Sequence, residues 1–226
     1  MKYSELKILA RAYAPTATVE QIPDAALSLL LREGALDVAG RTQCLKTFDY
    51  FDSEASVGTY NLSTKLEKFL GIEKGGIKWK NGTSYLTVLP RTIPWLEKNR
   101  PNWRTETAGQ PVYYVMDKAN VIFTPKPATA VSDAFLANYF QMPPTPVSDD
   151  YYPFGGAVEI SHLAPLSECI LYYYKWKVLG VLSKPDEMDK FEPVYERECM
   201  RKMKLINLRK DIADTEDARL QGRKIR

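Results

Sequence analysis

His162 is the sole histidine of this 226-residue chain, and Ser161, Ser167 and Cys169 stand beside it in sequence. A serine or thiol nucleophile needs only one neighbouring base, so that cluster is the first place to look for covalent catalysis. No serine of the chain lies in a GxSxG turn, however, and His162 precedes a helical stretch, where a capping or surface role is ordinary. A single histidine also removes His-rich metal sites from consideration. The acids Asp49, Asp52 and Glu54 could divide the work of general acid and base. No spacing fixes them across a cleft, and a solvated loop is the expected setting. Gly71-Ile72-Glu73-Lys74-Gly75-Gly76 is glycine-rich but matches neither a GxxxxGK[ST] loop nor a strand–GxGxxG–helix turn, so it reads as a helix stop before a hairpin. Cys44, Cys169 and Cys199 are odd in number and form no CxxC pair, which suits reduced, partly buried thiols. The rings from Tyr172 to Trp176 could stack nucleobases. A helix would distribute them around its circumference, so packing in a core or between subunits is the better expectation. The expectation is therefore a protein that is not an enzyme and needs no metal or cofactor.

Charge points elsewhere. The whole chain carries only +3, but Arg197 to Arg226 holds ten bases, namely Arg197, Arg201, Lys202, Lys204, Arg209, Lys210, Arg219, Arg223, Lys224 and Arg226. Five acids share that stretch, giving +5 there and −2 over the remaining 196 residues. Such asymmetry suits an acidic partner, protein or nucleic acid, at the C-terminal end. Hydrophobic residues at 45% and charged residues at 26% are ordinary for a globular chain that buries a core. No run of 18 apolar residues occurs, and the short stretch Ile8 to Ala10, interrupted by Arg11, is too little for a secretory leader.

Hydrophobic periodicity places the elements. Residues 19–47 read as helix through Leu27, Leu30, Leu31, Ala35, Val38 and Leu45, with a break near Gly34 equally compatible. Ser63 is expected to cap a shorter helix carrying Leu66, Phe69 and Leu70, with Gly71 as its stop. Ile77 to Lys80 and Thr83 to Leu86 flank Asn81-Gly82, a strong hairpin signal for a type I′ turn. A second hairpin is expected between Val112–Met116 and Val121–Phe123 through Asp117 to Asn120, and a further strand over Ala134 to Phe140. Pro90 to Pro101 reads as a connector with one short helix, and Pro143 to Pro153 as a loop. Pro165 suits the first turn of a helix running through Leu166, Ile170, Tyr173, Tyr174, Val178 and Val181, apolar nearly all round and so buried on more than one side. A last helix carries Met188, Phe191, Tyr195, Cys199, Met203 and Ile206 on one stripe, with Pro193 either kinking it or setting a start at Glu192. Helices, then strands, then helices imply an α+β fold, in which terminal helices form a scaffold and an antiparallel β segment is inserted.

The order of several short motifs carries a family resemblance. Gly109-Gln110-Pro111-Val112-Tyr113-Tyr114 is followed by Val121-Ile122-Phe123-Thr124-Pro125-Lys126-Pro127, then by Asn138-Tyr139-Phe140-Gln141-Met142-Pro143-Pro144, a long loop, an aromatic helix and a charged C-terminal helix. In this order, over roughly residues 20–210, the chain resembles the head-to-tail adaptor (connector) proteins of tailed bacteriophages. The resemblance implies a ring below the portal vertex that matches its twelvefold symmetry, joins portal to tail proteins and leaves a channel for non-specific passage of packaged DNA. It also implies assembly in the host bacterial cytoplasm and residence in the virion neck. In such proteins the C-terminal helix or tail inserts between portal subunits, which assigns docking here to the bases from Arg197 to Arg226.

On this reading residues 1–226 are one composite domain. Residues 19–47 and 163–210 are its helical scaffold, 50–145 its β insert and 211–226 a basic tail. The isolated protein is expected to be monomeric or weakly associated, with the surplus apolar surface of the aromatic helix covered when the ring closes. The alternative is a nucleic-acid-binding module using the basic tail and the tyrosines.

Overall fold

The computed structural model describes the backbone of residues 1–182 and 184–223 and the side chains of residues 1–182 and 184–207. In chain order the helices are α1 (Tyr3–Tyr13), α2 (Asp24–Thr42), the single turn α3 (Leu62–Lys65), α4 (Ile93–Asn99), α5 (Ser167–Val181) and α6 (Pro185–Arg223). The strands are β1 (Lys46–Ser53), β2 (Thr59–Asn61), β3 (Phe69–Asn81), β4 (Ser84–Thr87), β5 (Leu89–Pro90), β6 (Tyr113–Asp117), β7 (Asn120–Thr124) and β8 (Val131–Gln141). The fold is α+β, and the chain divides into two compact units. A helical unit joins Met1–Cys44 to Pro143–Arg226, and a β unit spans Leu45–Met142. No helix among the described residues is long and apolar enough to cross a membrane.

The helical unit is built around α5. Cys169, Ile170, Leu171, Tyr173, Tyr174, Trp176 and Val178 are all buried, because α1, α2, α6 and the 3-10 turn Ser161–Leu166 each pack against this helix. The chain's own helices therefore cover its apolar girth, and little is left over for a ring neighbour. Gly34 does not break α2. A Cβ there would lie 3.0 Å from Ile170 Cγ2 and 3.0 Å from Tyr173 Cδ1, so glycine is what lets α2 and α5 approach so closely. Nor does α2 continue to residue 47: Gln43 turns left-handed at φ 51°, its N–H donates to Ala39 O, and β1 begins at Lys46.

The N-terminal residues, weighed in the sequence only as a secretory leader, form α1, which buries Tyr3, Leu6 and Ala10 at spacings of three and four, with Glu5 accepting the Lys2 N–H at 2.9 Å. Tyr3 N and Ser4 N donate to the carbonyls of Tyr151 and Asp149, and Lys7 grips both oxygens of Asp149 at 2.7 Å, so α1 ties down the proline- and aspartate-rich loop. Helix α6 starts at Pro185 and runs through Pro193 without interruption. Its ring-fixed φ suits a first turn, so the start lies at Pro185 rather than Glu192. Tyr195, Cys199 and Ile206, at spacings of four and seven, form the buried stripe.

The β unit comprises two four-stranded sheets, in the orders β1-β8-β3-β4 and β2-β7-β6-β5. They meet across an aromatic core. Phe135 of β8 stacks on Phe123 of β7 at 4.1 Å and on Phe51 of β1 at 4.8 Å, and Trp79 and Tyr60 meet it edge-on at 5.0 and 5.7 Å. Strand β8 sits between β1 and β3, antiparallel to both, with Phe135, Ala137 and Tyr139 fully inward.

Both expected hairpins form, the first with its turn shifted by one residue and the second with a tighter turn. Asn81 pairs with Ser84, so the loop is Gly82-Thr83, and only Gly82 takes positive φ, at 62°. Glycine first and an ordinary residue second suits a type II′ turn rather than the type I′ turn expected on Asn81-Gly82. Asp117 pairs with Asn120, which shortens the second link to Lys118-Ala119 with Lys118 at φ 56°.

Two readings fail. The helix at Ser63 is one turn, capped by Asn61, whose side chain accepts from Ser63 N. Lys68 then turns left-handed at φ 50°, and Phe69 enters β3 with its ring 6.1 Å from Tyr139. Asp49 and Asp52 are not in a loop but on β1, where Phe51 and Ser53 point inward while Phe48 and Tyr50 are exposed.

Candidate docking interface

Helix α6 displays its charge in blocks that follow its hydrogen-bonded frame. Asp186 and Glu187 occupy the first turn, where unpaired backbone N–H groups favour carboxylates. The dense run of bases begins at Arg197, directly after Tyr195 and Glu196, which fasten the helix to α2. There Arg41 of α2 reaches Asp37 on its own helix at 2.6 Å and Glu196 of α6 at 2.5 Å, and its guanidinium lies 5.3 Å over the Tyr195 ring. The Tyr195 hydroxyl donates to Asp37. Burial, reinforced by that carboxylate, pushes the Tyr195 hydroxyl well above the ordinary tyrosine range. Burial alone would lower the Arg41 guanidinium, but Asp37 and Glu196 outweigh it and raise it. One turn further, Cys199 meets Cys169 of α5, and the contact between the two buried thiols raises Cys169 and lowers Cys199.

Four of the ten bases singled out by charge have described side chains, and they divide. Lys202 turns inward to Glu168 of α5 and is spent on holding the two helices together. Arg201 is paired along its own helix with Glu198 at 2.6 Å. Arg197 and Lys204 are exposed and have no ion-pair partner among the described residues. Met200 and Leu205, 53% and 46% exposed, lie among them, so the outward side of α6 is a mixed basic and apolar strip. Arg209, Lys210, Arg219, Arg223, Lys224 and Arg226 lie outside the described side chains.

The structure answers the other chemical readings of the sequence. Tyr173, Tyr174 and Trp176 are 7%, 0% and 7% exposed, and Tyr172 lies between Tyr13 and Phe191 at 6.1 Å from each. These rings are core, so they offer no platform on which bases could stack. His162 is exposed in the 3-10 turn, whereas Ser167 and Cys169 are buried. The Asp37–Arg41–Tyr195–Glu196 cluster escaped sequence reading because Asp37 and Tyr195 are 158 residues apart. Its only local trace is the Asp37/Arg41 pair at one helical turn.

No curated protein matches the chain. The model of one family does, that of the SU10 adaptor protein, and it covers residues 1–210, from α1 through the basic run of α6. The chain accordingly belongs to the SU10 adaptor protein family and is a structural adaptor of bacteriophage.

Proposed function

We propose that this adaptor closes into a ring beneath the portal, bridges it to the tail or tail-nozzle proteins, and leaves a channel through which packaged DNA passes without sequence-specific contact. The observation that carries this reading is family membership over residues 1–210, joined to a C-terminal helix whose bases are only partly neutralised within the protomer. On this reading the protein is assembled in the host cytoplasm, takes the portal's twelvefold symmetry, and resides in the virion neck.

The docking device is α6 with the residues that follow it. Its buried stripe of Tyr195, Cys199 and Ile206 holds it to the protomer, while Arg197, Met200, Lys204 and Leu205 remain for a partner. Acidic grooves between portal subunits suit such a strip, with long-range attraction speeding capture and closer packing giving specificity. Beyond it, residues 211–226 add Arg219, Arg223, Lys224 and Arg226. Deleting residues 211–226 should leave the circular dichroism melt unchanged and abolish binding to portal-containing heads. A truncated chain that still joined those heads normally would move the docking surface elsewhere.

A further inference from the structure

Sheet β2-β7-β6-β5 is left incomplete beside β6. Strand β5 runs parallel to β6 for only two residues, Leu89 and Pro90 opposite Tyr113 and Tyr114, and after Arg91 the chain turns into α4. Strand β6 continues to Asp117. Phe123 of β7 gives its N–H to Gly58 O at 2.7 Å, away from β6, so Tyr114 opposite it faces β5, where its carbonyl accepts the Arg91 N–H at 2.8 Å. Successive residues of a strand alternate in direction, so Met116 presents its N–H and C=O on the same side as Tyr114. Neither group has a hydrogen-bond partner among the described residues.

A groove of about 500 Å³ lies there. Strand β3 contributes Ile72, Glu73 and Lys74 to it, the turn into α4 contributes Pro90 to Pro94, and β6 contributes Tyr114 to Asp117. The Arg91 guanidinium is held over the rings of Trp95 and Tyr113, at 4.6 and 5.6 Å, and its Nη1 donates to Pro90 O at 3.0 Å. Its Nε is buried and donates to nothing, and Arg91 has no carboxylate partner among the described residues. A guanidinium fixed in this way, with donors to spare, suits a carboxylate. Lys46 already takes Glu73 at 2.7 Å, which leaves Arg91 and Lys74 against Asp117 alone.

Two unmet needs therefore share one groove: a backbone donor and acceptor at strand spacing, and a cation without an anion. An extended polypeptide carrying a carboxylate supplies both. Nucleic acid supplies only the second, and the rings of Trp95 and Tyr113 are already faced by Arg91 rather than free for bases. The exposed carboxylates of β1 and of the proline-rich loop are engaged within the protomer, Asp49 by the Tyr50 N–H, Asp52 by the Asp133 N–H, and Asp149 and Asp150 by Lys7 and Lys2. We infer that the groove takes an extended, acidic segment of a different protein, which continues β5 along β6, exchanges hydrogen bonds with Met116 N–H and C=O, and sets a carboxylate on Arg91. This contact needs only that the chain is a phage adaptor, and neither ring closure nor docking by α6.

Hydrogen exchange and cross-linking on the full chain test this. The Met116 amide should exchange freely in the isolated chain and slow by about tenfold or more in purified virions. Ile93→p-benzoylphenylalanine, in the groove lining, should cross-link in those virions to an extended acidic segment of one other structural protein, identified by mass spectrometry. Arg91→Gln and Met116→Pro should each cut incorporation into virions by about tenfold or more, and Arg91→Lys by less, since it keeps the charge but not the fork. Proline at residue 116 removes the edge donor and no ladder bond to β7. Where circular dichroism shows that this variant fails to fold, Arg91→Gln and the cross-link decide. Exchange unchanged in virions, normal incorporation of Arg91→Gln, or a cross-link to DNA or to a second copy of this chain would each overturn the assignment. A chain that enters virions without forming a ring, with Met116 protected, would sink the ring reading and leave this contact standing.

Discussion

In the helical unit the charges reach across elements: Arg41 joins α2 to α6 through Glu196, Lys202 joins α6 to α5 through Glu168, and Lys7 joins α1 to Asp149. In the β unit Lys46 joins β1 to β3 through Glu73 and Arg100 pairs with Glu106, but Asp49, Asp52, Lys78 and Lys80 find no ion-pair partner among the described residues. The cores differ in the same sense. Helices must bury a stripe and can do so against one another, so most of α5 ends up enclosed. A sheet buries one face and leaves its lateral hydrogen-bonding edges to be satisfied elsewhere, which β1 and β4 have not done. One unit thus ties its helices together within the chain, and the other leaves its sheet edges unpaired.

Substitutions can sharpen that contrast. The largest effect is expected at Phe135, which has no exposed surface and touches four other rings. Phe135→Ala should destabilise the β unit by about 3–5 kcal/mol in denaturant titration, through the cavity it leaves between the sheets. Within α2, Gly34→Val should cost about 1–3 kcal/mol by forcing the helix off Ile170 and Tyr173. Gly40→Ala in the same helix meets no atom within 4 Å and should instead stabilise by about 0.5–1 kcal/mol. Equal effects at the two glycines would refute the close approach of α2 and α5.

Gly82→Val should cost about 1–2 kcal/mol, because a β-branched residue resists the positive φ at that turn. Tyr195→Phe, which removes the donor to Asp37, should cost about 1 kcal/mol. The smallest effect is on pH dependence. Burial raises Tyr3 to about 12 and also lifts Tyr174 and Tyr195 above the ordinary tyrosine range. Above about pH 10 the unfolded chain loses tyrosine protons that the folded chain keeps, so stability should be level below that pH and fall as it rises further. A melt that stayed constant between pH 9 and pH 11 would contradict the burial of these hydroxyls.

Local signals carried much of the fold. The hairpin at Gly82 was legible because a glycine between two short β-rich runs is a local instruction, although the pairing of Asn81 with Ser84 moved the turn by one residue. The apolar periods of α2, α5 and α6 were equally plain. Strand β1 was not, since its outward side carries Phe48 and Tyr50 while its inward side includes Asp49, which inverts the usual alternation. The helical period through Leu66, Phe69 and Leu70 misled for another reason: tertiary contact between Phe69 and Tyr139 took those residues into a sheet. Charge counting found the basic run of α6 but could not foresee that Lys202 turns inward, because Glu168 lies 34 positions away.

The β unit enters at Leu45 and leaves at Met142, and Gln141 N donates to Leu45 O at 2.8 Å, so its entrance and exit are neighbours. An insertion whose two ends nearly touch asks almost nothing of the chain that hosts it. Its loop-closure cost is borne by its own strands, and a host helical pair could gain, lose or exchange it as a cassette without resetting its own register. Members of the family could diverge by replacing this cassette, while the helices that host it are left as they are.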